Sequence, residues 1–202
     1  FNRPHFENGA IEKISKVLKS YGIKNPLICS DPGLSSIGMT EKIRSLISDD
    51  LSPSFYEETP ANPTEKAVSE ALEIYKSNSC DGVIGFGGGS SMDLGKAVAL
   101  MANHDGNLID YSVVQGGYKK ITETVPMIAI PTTSGTGSEV SDGALIIMND
   151  GRKLILASPH LRPNAAICDP ELTIGLPPIL TAGAGMDAVS YTHLTLPTKF
   201  VV

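Results

Sequence analysis

"GVIGFGGGSSMDLGKAVAL", residues 82–100, decides how this chain folds. Residues 81–86 read as a buried strand, and Ser90 to about Asn103 reads as a helix with apolar faces. Gly87, Gly88 and Gly89 fill the turn between them. A backbone without side chains lets a ligand come close, and the start of a helix offers free N–H groups and a partial positive charge. The ligand such a turn suits is a phosphate. The plain alternative is a tight strand-to-helix turn that binds nothing, although three glycines exceed what a turn requires. A Walker loop needs Ser or Thr after its Gly-Lys, whereas Gly95-Lys96 is followed by Ala97. A Rossmann fingerprint finds two glycines in Gly85 and Gly87, but Ser90 holds the third place.

Outward from this stretch the chain alternates. Ile11, Ile14, Leu18 and Tyr21 share one face of a helix ending at Gly22, and the strand "PLICSD" (26–31) follows. A helix is expected from about Met39 to Ile47, then a strand "SFYEE" (54–58). Asn62-Pro63-Thr64 opens a helix in which Val68, Ala71, Leu72 and Tyr75 recur at helical spacing. Strand–helix alternation predicts a Rossmann-like parallel sheet with flanking helices, an α/β fold. Beyond it, "PMIAIPTT" is a strand running into the loop "SGTGSE", and "ALIIMNDGRKLILAS" (144–158) predicts a β-hairpin turning at Asn149-Asp150-Gly151. "NAAICD" (164–169) is a further strand, and a new helix is expected after Pro177-Pro178. Residues 1 to about 176 read as one α/β domain.

Composition excludes several classes. A net charge of −6 without a Lys/Arg run argues against a nucleic-acid surface, and no apolar stretch reaches the length of a membrane span. Cys29, Cys80 and Cys168 are odd in number and far apart, which fits reduced packing thiols and a cytoplasmic chain. The first residue is Phe1 and no signal-peptide pattern precedes the first helix, which points to a processed chain or a fragment.

Open parallel sheets bind ligands beyond the carboxyl ends of their strands. Asp31 closes the first of these strands, where a carboxylate accepts from ribose hydroxyls or caps a helix. Asn62 follows the second strand; alone it reads as a helix cap. The triglycine turn with Ser90 follows the third, and Asp93 lies on the first turn of the helix, favoured by the dipole and within reach of a ligand hydroxyl. "PTTSGTGSE" (131–139), mostly Thr, Ser and Gly, is either a surface loop or one that wraps a pyrophosphate or a nicotinamide amide.

Taken in order, "SDPGL", "NPT", "GFGGGSSMDLGK", "IPTTSGTGSE", "DPELTIGLPP" and "GMDA" resemble the iron-containing alcohol dehydrogenases over residues 1–188. Dehydroquinate synthases and glycerol dehydrogenases share the fold and a GGG-type loop, but "SGTGSE" after "PTT" is closer to the alcohol dehydrogenases. The resemblance implies NAD as cofactor, Fe(II) or Zn(II) as an activating metal, a small alcohol or aldehyde as substrate, and room for a homo-oligomer. On it, Asp31 lies near the adenosine ribose and favours NAD over NADP. Asn62, Thr132, Thr133 and Thr136 contact the dinucleotide, Gly88, Gly89 and Ser90 hold the pyrophosphate with Asp93 beside them, and Lys153 reaches toward the cofactor. Asp187 matches the first metal ligand, which the family joins to three histidines. The metal would act as a Lewis acid on the substrate oxygen while hydride passes to nicotinamide.

The match then breaks. The family places a histidine four residues after that aspartate, where this chain has Tyr191. His193 is six residues on, and at ~100° per residue it points to the other side of a helix. The family's all-helical second domain is expected to be missing, with residues 177–188 as its truncated start. Residues 189–202, "VSYTHLTLPTKFVV", lack the family pattern and suit strand or turn. The alternatives to a dehydrogenase are a nucleotide-binding module without catalysis and a cyclising synthase of the dehydroquinate type.

Overall fold

A computed structural model of the chain describes residues 3–195. Its strands are β1 (Arg3–Phe6), β2 (Pro26–Cys29), β3 (Ser54–Tyr56), β4 (Gly82–Gly87), β5 (Met127–Pro131), β6 (Gly143–Ile147), β7 (Lys153–Ala157) and β8 (Ala165–Cys168). Six of them form one sheet in the order β1-β8-β5-β4-β2-β3, every neighbouring pair parallel. β6 and β7 form the separate antiparallel hairpin that the sequence predicts. Parallel neighbours need long crossovers, and helices supply them: α2 (Pro32–Ser36) and α3 (Met39–Leu46) after β2, α4 (Glu65–Ser77) after β3, and α5 (Gly89–Met101) after β4. Helix α1 (Ile14–Ser20) leads into β2, and α6 (Pro178–Thr195) follows β8.

Parallel strands covered on both faces read as unbroken apolar runs, and β2, β4 and β5 are buried throughout. Their side chains alternate between two layers. Leu27, Val83 and Met127 pack with α4, α5 and the hairpin, whereas Ile28, Ile84, Phe86, Ile128 and Ile130 pack with α1 and α3. Helix α5 lies between the sheet, α4 and the hairpin, so nine of its thirteen residues are buried and its sequence is apolar nearly all round.

The path of the chain fixes where a ligand can sit. From β2 the chain steps outward to the edge strand β3, then returns past β2 to β4 and continues the other way to β5. The strand order therefore reverses between β2 and β4. In open α/β sheets the crevice beyond the carboxyl ends at such a point is the ligand site.

The structure departs from the sequence expectation in four places. Edge strand β1 has no clear signal in the sequence, because its only pairing partner is β8, far along the chain. The first helix opens as a 3₁₀ turn, Ala10–Lys13, and Tyr21 leaves the buried face; its hydroxyl donates to the Asn164 carbonyl instead. A short helix, α2, capped by Asp31, stands ahead of the helix expected from about Met39. Residues 189–195, expected as strand or turn, continue α6. Once a helix is nucleated each added residue gains a hydrogen bond, which outweighs the few tenths of a kcal/mol that threonine costs. The remaining residues of that stretch, 196–202, lie outside the described ones. Among the described residues no helix is long and apolar enough to cross a membrane.

Candidate functional site

Asp31 and the glycine turn meet at the strand-order reversal. Asp31 is the N-cap of α2: Oδ1 accepts from the Leu34 N–H at 3.1 Å, while Oδ2 faces the Ser91 hydroxyl at 3.5 Å. One carboxylate oxygen thus caps the helix while the other faces the first turn of the glycine-rich helix. Gly87 has φ +145°, and a Cβ placed on it would stand 2.5 Å from Ser91 Oγ and 3.1 Å from Asp31 Oδ2. Only glycine permits both that backbone and that approach.

The loop after β5 forms the facing wall. Gly87 and Pro131 are register partners, and the Thr132 N–H donates to the Gly87 carbonyl at 2.9 Å. A Cβ on Gly88 would lie 3.5 Å from Thr133 Cγ2, and one on Gly89 3.1 Å from Thr136 Cγ2. Residues 87–90 and 132–136 thus lie against each other at the carboxyl ends of β4 and β5, on the same end of the sheet as the sequence reading expects. No side chain caps the start of α5, and Thr133 Oγ1 is buried without a hydrogen-bond partner in the protein. A bare backbone, an uncapped helix start and an unpartnered hydroxyl together fit a dinucleotide's phosphates and polar edges.

The loop before α4 closes a third side. Ser90 Oγ donates to the Ala61 carbonyl, and Lys153 Nζ to Asn62 Oδ1 at 2.8 Å. The hairpin that carries Lys153 docks on the same loop through the Ile147 N–H to the Pro63 carbonyl and on the start of α4 through the Asn149 N–H to Glu65 Oε2. The sequence-predicted residues from Asp31 to Lys153 lie on the glycine turn and the start of α5, on the three segments around them, or on the hairpin strand tied to them.

Asp93 is engaged inside the protein. Its Oδ1 accepts from the Ser138 hydroxyl at 2.7 Å and its Oδ2 from the Leu145 N–H at 2.9 Å. Lys96, one turn on, is fully buried and donates to Ser138 Oγ, Ser141 Oγ and the Gly143 carbonyl. Burial pulls its ammonium down to about 8, against the opposing fields of Asp93, Glu139 and Asp142. Sequence reading gives Lys96 no role; its signal is a lone lysine in the apolar run "LGKAVAL", three residues after Asp93. The cysteines behave as packing residues, with burial pushing all three thiols up.

Asp187 is exposed on α6. A Cβ on Gly135 would stand 1.8 Å from the Ala184 carbonyl oxygen, so α6 rests directly on the loop after β5. Asp187 follows one helical turn beyond that contact. Among the described residues no three His, Cys, Asp or Glu side chains gather where a metal could be held. The residues present offer a metal one carboxylate. At the amino-terminal ends of β5 and β8, a cleft of about 410 Å³ opens between Glu123, His160, Arg162 and Asn164. It lies at the wrong end of the sheet for the crevice and shares no residue with it.

Comparison with known proteins agrees with this geometry. The family model for iron-containing alcohol dehydrogenase matches residues 2–170. The 4-hydroxybutyrate dehydrogenase of Cupriavidus necator is 45% identical over 188 residues, covering 93% of this chain and 49% of its own. Alcohol dehydrogenase 4 of Schizosaccharomyces pombe is 37% identical, covering 92% and 44%. A crystal structure of 1,3-propanediol oxidoreductase superposes with a TM-score of 0.88 at 30% identity, over 94% of this chain and 50% of that one. The sulfoacetaldehyde reductase of Bifidobacterium kashiwanohense, solved in complex with NAD+, gives 0.86 at 31%, over the same shares. The chain spans about half the length of these relatives. Its matched residues place it in one family: the chain belongs to the iron-containing alcohol dehydrogenases.

Proposed function

We propose that residues 1–176 are the dinucleotide-binding domain of an NAD-linked dehydrogenase acting on a primary or secondary alcohol or the matching aldehyde. The observation that carries this reading is the convergence of Asp31, the glycine turn and the threonine loop at the strand-order reversal, which we read as the walls of one dinucleotide groove. The glycine turn and the start of α5 bind the pyrophosphate, with Ser90 at its edge. Thr132, Thr133 and Thr136 line the far wall, Asn62 and Lys153 close the near side, and Asp93 fixes the threonine loop. NAD supplies the hydride acceptor. Family membership and a relative solved with NAD+ support the cofactor class.

Asp31 selects NAD over NADP, because a carboxylate accepts from ribose hydroxyls and repels a 2′-phosphate. Asp31→Asn keeps the cap of α2 but removes the charge, so it tests the electrostatic role without unfolding the turn. The ratio of NAD to NADP affinity, measured by calorimetry, is expected to fall about tenfold, or ~1.4 kcal/mol. An unchanged ratio overturns the role.

The metal does not fit the described residues. Catalytic metal sites in proteins usually take three protein ligands, and Asp187 is one. The 202-residue chain with NAD and added Fe(II) or Zn(II) is therefore expected to form no NADH from simple alcohols or 4-hydroxybutyrate. Measurable absorbance of NADH would show that the donor set is complete within the chain.

A further inference from the structure

Lys96 is the one lysine among the described residues that is fully buried, and no step of the proposed function uses it. Its three N–H groups meet three acceptors: Ser138 Oγ at 3.0 Å, Ser141 Oγ at 2.9 Å and the Gly143 carbonyl at 2.8 Å. The Ser138 hydroxyl in turn donates a hydrogen bond to Asp93 Oδ1, and Asp93 Oδ2 accepts from the Leu145 N–H. One cation on α5 thus ties down the loop after β5 and the first strand of the hairpin. Between its ends, which are tied by the Thr132 N–H to the Gly87 carbonyl and the Ser158 N–H to the Asp142 carbonyl, the loop's backbone hydrogen bonds run from Val140 and Ser141 to the Gly137 carbonyl. The Ser138 N–H in turn donates to Thr136 Oγ1 at 3.3 Å, and Thr136 is the side chain that faces Gly89.

We infer that Lys96 is a positioning residue for the dinucleotide groove, its ammonium group holding Ser138, and through it Thr136, against the glycine turn. The inference rests on reading the groove as an NAD site. A neutral amine has two N–H groups for the same three acceptors, so one tie must be given up and Asp93 loses its neighbouring cation. The charged groups that bear on Lys96 are Asp93 from its own helix and Glu139 and Asp142 from the loop; β4, β5 and β6 contain no ionisable side chain.

Two pH effects of opposite sign follow. The ammonium is lost as pH rises through about 8, so dinucleotide affinity falls there. Stability responds the other way. The unfolded chain keeps this proton up to the ordinary lysine value of 10.5, so between about 8 and 10.5 the unfolded state binds more protons and this group favours folding more as pH rises. A loop that merely unfolded would lose affinity and stability together.

The test uses the whole chain, with NADH fluorescence for affinity and ¹³C-methyl threonine spectra for the position of Thr136, from about pH 6.5 to 9.5. The wild-type dissociation constant is expected to rise about tenfold with a midpoint near 8, the Thr136 methyl moving at the same midpoint without a parallel fall in melting temperature. Lys96→Met is expected to bind weakly at every pH, with a flat profile. Wild-type affinity and pH profile in Lys96→Met would overturn the inference, as would a wild-type Thr136 methyl that does not titrate. If Lys96→Met fails to fold, the wild-type series decides alone. A Thr136 methyl that titrates in a chain with no NADH binding at any pH supports the loop anchoring and overturns the NAD reading instead.

Discussion

Gly87→Val is expected to abolish dinucleotide binding, lowering affinity by at least about a hundredfold, ~2.7 kcal/mol, and to destabilise the fold as well. At φ +145° a β-branched residue is strained by about 1–3 kcal/mol. Its Cβ would overlap Ser91 Oγ, a buried hydroxyl with little room to turn, and crowd Asp31 Oδ2. Relief requires moving either the start of α5 or the end of β2, which are the two sides of the crevice. Denaturant unfolding and NADH titration of the same preparation check both effects. Near-native affinity in Gly87→Val would show that the ligand does not approach the chain at this turn.

Phe86→Ala carries the largest expected loss of stability, about 3–5 kcal/mol. Phe86 is fully buried one residue before the turn and is among the largest side chains in the layer formed with α1 and α3. Ile84, Ile128 and Ile130 in that layer are held on sheet backbone, so the cavity closes only in part. For a chain of this length the melting temperature is expected to fall by roughly 6–20 °C. A change of less than about 1 kcal/mol would mean that the layer repacks freely.

The alternation of strands and helices was legible because each element carries its own period. β4 and β5 read as short apolar runs and α4 as an amphipathic repeat, and all three appear where expected. The glycine turn was legible for the same local reason. What lay beyond sequence reading depends on distant partners. Lys96 looks misplaced in an apolar helix until Ser138, Ser141 and Gly143, more than forty residues later, are folded onto it. β1 is a strand only because β8 lies beside it. The sequence leaves Asp31 as either a cap or a ligand contact, and in the fold one oxygen caps α2 while the other faces Ser91. The end of α6 departs from its threonine propensities because a helix already running into those residues carries them along.

Titration of NAD into the ¹³C-methyl-threonine chain tests the central claim most directly. The account predicts saturable one-to-one binding that shifts the methyls of Thr133 and Thr136, on the wall facing the glycine turn, and leaves that of Thr40, buried in α3, unmoved. Saturable binding with Thr133 and Thr136 unshifted, or no binding up to millimolar NAD, would contradict it.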